Sequence, residues 1–210
     1  MENEKTNRAF NEMYISALKR LENKSPLEIA KKAGVVFCEE TSTFKIKSLN
    51  KTIQLSYPSY ESKEKLEEWY TLILLHYLDL ADGTPLSSQM IHFGELKDGL
   101  IRGVRFDKTV ELELGCFLNN KEPEQVINIC RSLGAEIIPS KFDLSVKFYL
   151  FPNYPVTLNI WFKDEEFEAL GQLLVDKNAD HYLTIEDAVM AGELMLRCIL
   201  EKYKQLYETL

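Results

Sequence analysis

Two runs of this chain alternate apolar with polar or amphipathic residues at period two, and a proline-bounded break separates them. They are Leu144-Ser145-Val146-Lys147-Phe148-Tyr149-Leu150 and Val156-Thr157-Leu158-Asn159-Ile160-Trp161-Phe162. Such alternation places every second side chain on one face, as a strand with a single buried face requires. The break, Phe151-Pro152-Asn153-Tyr154-Pro155, reads as a turn, because each proline lacks an N–H and restricts the residue before it. The simplest outcome is an antiparallel hairpin.

Around it the remaining elements are legible from spacing. Residues 5–22 carry Phe10, Met13, Tyr14, Ala17, Leu18 and Leu21 three and four apart, the mark of an amphipathic helix. Ser25-Pro26-Leu27-Glu28 has the form of a capping box with proline in the first turn, and Gly34 supplies a left-handed stop, so a short helix spans 26–32. Val35-Val36-Phe37-Cys38 reads as a strand, and residues 43–47 and 52–57 form a second hairpin turning around Leu49-Asn50-Lys51. Residues 64–81, with Ser62 placed to cap them, are apolar nearly all round, so that helix is central. His76 lies inside it, and helical spacing pairs it with Asp79 as a packed, hydrogen-bonded histidine.

Residues 84–95 form the longest irregular segment. Residues 109–117 and 124–133 read as two further helices, the second opened by Pro123 and stopped by Gly134. Short strands follow at 135–138 and 173–175. Thr184-Ile185-Glu186-Asp187 opens the last helix with a capping-box form. Its apolar face runs through Ile185, Ala188, Gly192, Met195, Ile199 and Tyr203, while Glu193, Arg197 and Glu201 pair along the other face. The expected fold is α+β, a mainly antiparallel sheet packed by long helices in a single domain. Residues 1–61 supply N-terminal helices and a hairpin, and residues 62–210 supply the rest.

Charge and cysteine usage narrow the function classes. The net charge of −8 argues against a nucleic-acid partner, since that affinity rests on neutralising phosphates with Lys and Arg. Met1-Glu2-Asn3-Glu4-Lys5 is polar with no apolar run behind it, so no secretory signal is expected, and no apolar stretch is long enough to imply a membrane partner. Cys38, Cys116, Cys130 and Cys198 are isolated, which fits reduced thiols and a cytoplasmic location. P-loop, GxGxxG, HExxH, GxSxG and zinc-ribbon spacings are absent.

The chemistry-bearing residues gather late in the chain. Asp164, Glu165 and Glu166 follow the tryptophan strand, and Asp176, Asp180, His181, Glu186 and Asp187 come soon after. If Glu186 or Asp187 folds back onto Asp164 or Glu165, their oxygens would suit a hard cation. Asp164, Asp187 and His181 together would suit a transition metal. One carboxylate with a raised pKa could otherwise act as a general acid or base. Against this stands plain capping and turn chemistry, for which acids in a helix's first turn and after a strand are well suited. Trp161 shares a face with Thr157 and Asn159, opposite Ile160 and Phe162, and reads as a partly exposed aromatic at the site's edge or simply as core. His92 lies in the irregular segment, and Arg102 with Arg105 flanks Gly103, where they can clamp an anion or pair with internal carboxylates. Trp161, Asp164, Glu165, Glu186, Asp187, His92 and Arg102 are therefore the binding candidates. No cofactor is indicated and the oligomeric state is not encoded. The leading expectation is an accessory module that binds a small molecule or protein partner without turnover. Its rival is a carboxylate-based enzyme, with or without a divalent metal.

Taken in order, the PLS loop ending at Phe93, Leu133-Gly134, the Phe151 to Pro155 turn, Trp161 with Asp164-Glu165-Glu166-Phe167, and Glu186-Asp187 form a series of blocks. In that order the chain resembles the domain-of-unknown-function 3786 family of bacteria and archaea, over about residues 62–200. The resemblance implies no reaction, substrate or catalytic residue. Some relatives carry an iron–sulfur segment in addition; this chain has no matching cysteine run, so no cluster is implied.

Overall fold

A computed structural model describes residues 2–119 and 121–208. The N-terminal amphipathic helix α1 covers Glu2–Glu22, burying Phe10, Ala17 and Leu21, and α2 covers Pro26–Ala33. Gly34 ends α2 in the left-handed region at φ 66, while the Ser25 side chain makes no cap hydrogen bond. Instead Glu28 pairs with Lys32 one turn on, at 2.7 Å. Three strands, β1 (Val36–Cys38), β2 (Thr43–Ser48) and β3 (Lys51–Ser56), form a small antiparallel sheet with a tight turn at Leu49-Asn50.

Helix α3 covers Glu68–Leu80 and is buried through Leu72, Ile73, Leu74, Leu75, Tyr77 and Leu78. It begins four residues later than its spacing implies, because Ser62 pairs with Leu55 in a β-bridge and does not cap a helix. The segment expected to be irregular contains a short edge strand, β4 (Met90–Ile91), and a 3-10 turn at Phe93–Glu95. A single helix, α4 (Gly99–Leu118), spans the two arginines and what read as a separate helix. Gly103 does not stop it, since the Phe93 carbonyl packs against that α-carbon and a methyl group there would overlap the oxygen. Helix α5 covers Pro123–Ser132.

The remaining strands are β5 (Glu136–Ile137), β6 (Leu144–Phe151), β7 (Tyr154–Trp161) and β8 (Leu170–Asp176), and the main sheet runs β4-β8-β7-β6-β5, antiparallel throughout. The predicted hairpin is β6–β7. Its turn is only Pro152-Asn153, and Pro155 lies within β7 opposite Tyr149, where the register shifts. The last helix, α6, covers Ile185–Tyr203. Thr184 caps it as expected, accepting from the Asp187 amide at 3.3 Å.

Register decides which face is covered. Leu144, Val146 and Phe148 of β6 pair with Ile160, Leu158 and Val156 of β7, which pair in turn with Gly171, Leu173 and Val175 of β8. All are buried, and Leu114 and Leu118 of α4 sit directly over Gly171. The other face carries Lys147, Tyr149, Gln172 and Leu174, all half-buried, and Trp161 at 37% exposure. Thr157 and Asn159 share that face yet are buried, because β7 is the central strand and Asn159 accepts from Ser145 Oγ at 2.6 Å. One continuous hydrophobic cluster runs from Phe10 to Tyr203, so the fold is a single α+β domain.

Candidate functional site

The carboxylate groups that sequence spacing brings together are separated by the length of the sheet. Asp164 lies just past the Trp161 end of β7. There its Oδ1 accepts from the amides of Glu166 at 2.8 Å and Phe167 at 2.7 Å. Those N–H groups hold its carboxyl below the ordinary carboxylate range, the Phe167 amide most strongly. Glu165 beside it is exposed. Asp187 acts electrostatically on Tyr154, at the opposite end of β7. An eight-residue strand separates those ends by roughly 23 Å at about 3.3 Å per residue. His181 is held elsewhere again, by Asp82 at 2.7 Å and Thr84 at 3.1 Å. Asp164, Asp187 and His181 thus do not converge, and among the described residues no group of three His, Cys, Asp or Glu side chains is arranged to hold a metal ion.

The other candidates each have a local partner. Arg102 Nε meets Glu186 at 3.1 Å, joining α4 to the first turn of α6. His92 lies 3.9 Å from Asp107, whose carboxylate accepts from the amides of Phe93 and Gly94 at the start of the 3-10 turn. Trp161 packs on Phe142, the rings tilted at 49° with centroids 5.1 Å apart. Asp176 is fully buried and accepts from Ser87 Oγ and from the amides of Ser87, Ser88 and Asn178, fixing the irregular segment.

What the tertiary structure does assemble is a His76–Asp187 pair, with Nδ1 and Oδ1 2.7 Å apart. His76 does not meet Asp79, because Asp79 is buried near the end of α3 and takes Arg20 of α1 at 2.5 Å and Lys24, just past α1, at 2.7 Å. Burial pushes the Asp187 carboxyl up, but His76 and Thr184 outweigh it and hold it below the ordinary range. With Nδ1–H directed at the carboxylate, Nε2 is the free nitrogen of the ring, a tautomer assigned from this geometry. The imidazole lines a cleft of about 350 Å³ together with Met13, Ser16 and Arg20 of α1. Such a histidine can move a proton. The one hydroxyl lining that cleft, Ser16 Oγ, is spent on the Glu12 carbonyl at 2.7 Å.

A larger concavity of about 550 Å³ follows the seam between α4 and α6. The two helices run parallel: Arg102 meets Glu186 at one end, and the rings of Phe117 and Tyr203 lie 5.3 Å apart at the other. Gly192 makes the close approach possible, since a methyl group there would overlap the Phe106 ring. Phe106 and Leu196 form the buried floor, with Trp69, Met190 and Leu200 half-exposed beside them. Glu113, Glu193 and Glu201 are exposed along the rim. Arg197 does not pair with Glu193 or Glu201 as helical spacing implies; its Nη2 meets Glu67 at 2.9 Å. The sequence carried one signal for this groove, Met190 and Leu200 lying off the main apolar stripe of α6. Nothing local showed that Trp69 and Phe106 join them.

The family model described as a domain of unknown function, DUF3786, matches residues 25–198. The match begins well before residue 62, where the resemblance read from motifs starts, and takes in α2 and the small sheet. No curated protein and no solved structure matches the chain.

Proposed function

The chain belongs to the DUF3786 family, and from the α4–α6 groove we propose that it is a cytoplasmic accessory module binding a protein partner without turnover. The observation that carries this reading is the groove's composition: Trp69, Met190 and Leu200, only partly buried, lie over a buried floor of Phe106 and Leu196. Large aromatic and flexible thioether side chains concentrate where binding energy is generated. A concavity of about 550 Å³ is also within the usual range for a recognition site. The dispersal of the Asp164, Asp187 and His181 side chains leaves the carboxylate-enzyme alternative without a shared centre. No helix among the described residues is long and apolar enough to cross a membrane.

Site-specific photo-crosslinking in cells tests the reading. A photoreactive residue in place of Thr109, on the groove, should give a discrete adduct. The same residue in place of Gln172, on the open sheet face, should give none. An adduct from Gln172 alone would refute the groove as the binding site.

A further inference from the structure

We infer that the α4–α6 groove accepts an amphipathic helix with basic flanks, presented by a partner protein. This rests on the partner-binding reading above and adds the chemistry of the occupant. Two features of the groove specify it.

The first is shape. Met190, Glu193, Arg197 and Leu200 of α6, with Lys204 just past its end, recur at three- and four-residue intervals along the side that lines the groove. Two parallel helices with an open seam present the surface into which a third helix packs, its apolar stripe set against Phe106, Met190, Leu196 and Leu200. From Met190 to Lys204 the seam is roughly 21 Å long at about 1.5 Å per residue, which matches a partner helix of about four turns. An extended strand would find no free ladder there, because both walls are helical and their backbone groups are already paired.

The second is charge. Glu113, Glu193 and Glu201 line the rim against two cations, Lys204 and Arg197, so carboxylates outnumber cations three to two, and Arg197 is already engaged by Glu67 at 2.9 Å. A helix with an apolar face alone would bury its stripe but leave these carboxylates facing its polar flanks. Lysine or arginine at the flanking positions complements them and steers the encounter. The chain's net charge of −8 acts in the same direction at longer range.

The test uses the whole 210-residue chain carrying Trp161→Phe, so that fluorescence reports Trp69 alone. Three synthetic peptides of about 16 residues, sized to the seam, are titrated: a leucine/lysine amphipathic helix, its leucine/glutamate counterpart, and a scrambled leucine/lysine sequence of equal composition. The basic helix should give saturable binding at least about tenfold tighter than either control, weakening as salt is raised. The double variant Glu193→Lys/Glu201→Lys, both exposed positions, should transfer the preference to the acidic peptide. Equal binding of the scrambled peptide, equal binding of the acidic helix, or a silent Trp69 overturns the inference. If the Thr109 crosslink still forms while the peptides fail, the partner site stands and the basic helix is discarded; if both fail, the reading beneath it goes too.

Discussion

His76 and Asp187, 111 residues apart in sequence, are joined by a 2.7 Å contact that ties the middle of α3 to the first turn of α6. Both side chains are only 13% exposed, so the pair is held largely out of water. Removing the imidazole leaves a mostly buried carboxylate with only Thr184 beside it. His76→Ala is expected to cost about 2–3 kcal/mol of stability, measurable by denaturant unfolding. A loss within experimental error would mean that the contact contributes nothing net.

The same contact sets an acid limb. Because the folded pKa of Asp187 is lowered, its contribution is complete above the unfolded carboxylate value and disappears as pH falls through the folded one. Melting temperature followed from pH 6 downward should therefore decline less steeply below about pH 4 in Asp187→Asn than in the parent protein. Parallel acid limbs would assign the decline to other carboxylates.

Asp82 and His181 form a mostly exposed pair with a bounded window. The His181 hydrogen bond is the main cause holding Asp82 at about 2, and the Asp82 hydrogen bond in turn raises His181. The contribution is full between the two unfolded values, about 4 and about 6.5. It is lost as pH falls through the folded value of Asp82 and as pH rises through that of His181. Solvent screening keeps it below about 1 kcal/mol. His181→Ala should lower the melting temperature slightly at pH 5.5 and leave it unchanged at pH 9; a larger effect at pH 9 would contradict the electrostatic origin.

Asp176 holds the segment before β4 by three hydrogen bonds at 2.8 to 2.9 Å and the turn after β8 by a fourth, from the Asn178 amide at 2.9 Å. Asp176→Ala removes a buried acceptor from partly buried donors, an expected loss of about 2 kcal/mol. Hydrogen exchange should accelerate first at the amides of Ser87, Ser88 and Asn178. Uniform acceleration over the whole sheet, with no local excess, would count against an anchoring role.

Burial separates the thiols. Cys130 is buried and its thiol is pushed up to about 12, whereas Cys116 is exposed. A thiol reagent applied to native protein should label Cys116 and reach Cys130 only on unfolding, since the thiolate is the reactive form. Early labelling of Cys130, read by peptide mass spectrometry, would show that α5 opens independently.

The strand runs at 144–150 and 156–162, the Gly34 and Gly134 stops and the Thr184 cap were all legible in the sequence, as was the family. Each is a local matter: side-chain alternation, a missing β-carbon, or an oxygen three residues from an amide. The two-residue turn at Pro152-Asn153 and the unbroken α4 were not, because Pro155 is accommodated opposite Tyr149 and Gly103 by the carbonyl of Phe93. Those accommodations come from neighbouring elements, and local propensity does not register them.

The candidate site divides along the same line. Sequence alone offered Asp164 and Asp187 a backbone amide or hydroxyl within a few residues as the alternative to a shared site, and each carboxylate takes one. Which distant group each side chain meets was decided only in three dimensions. Asp79 takes Arg20, so His76 is left for Asp187, and Arg197 takes Glu67, so carboxylates remain in excess along a groove that Lys204 also lines. Charges select partners by distance and burial after the helices have packed, and helix packing is set by apolar volume that carries no information about charge.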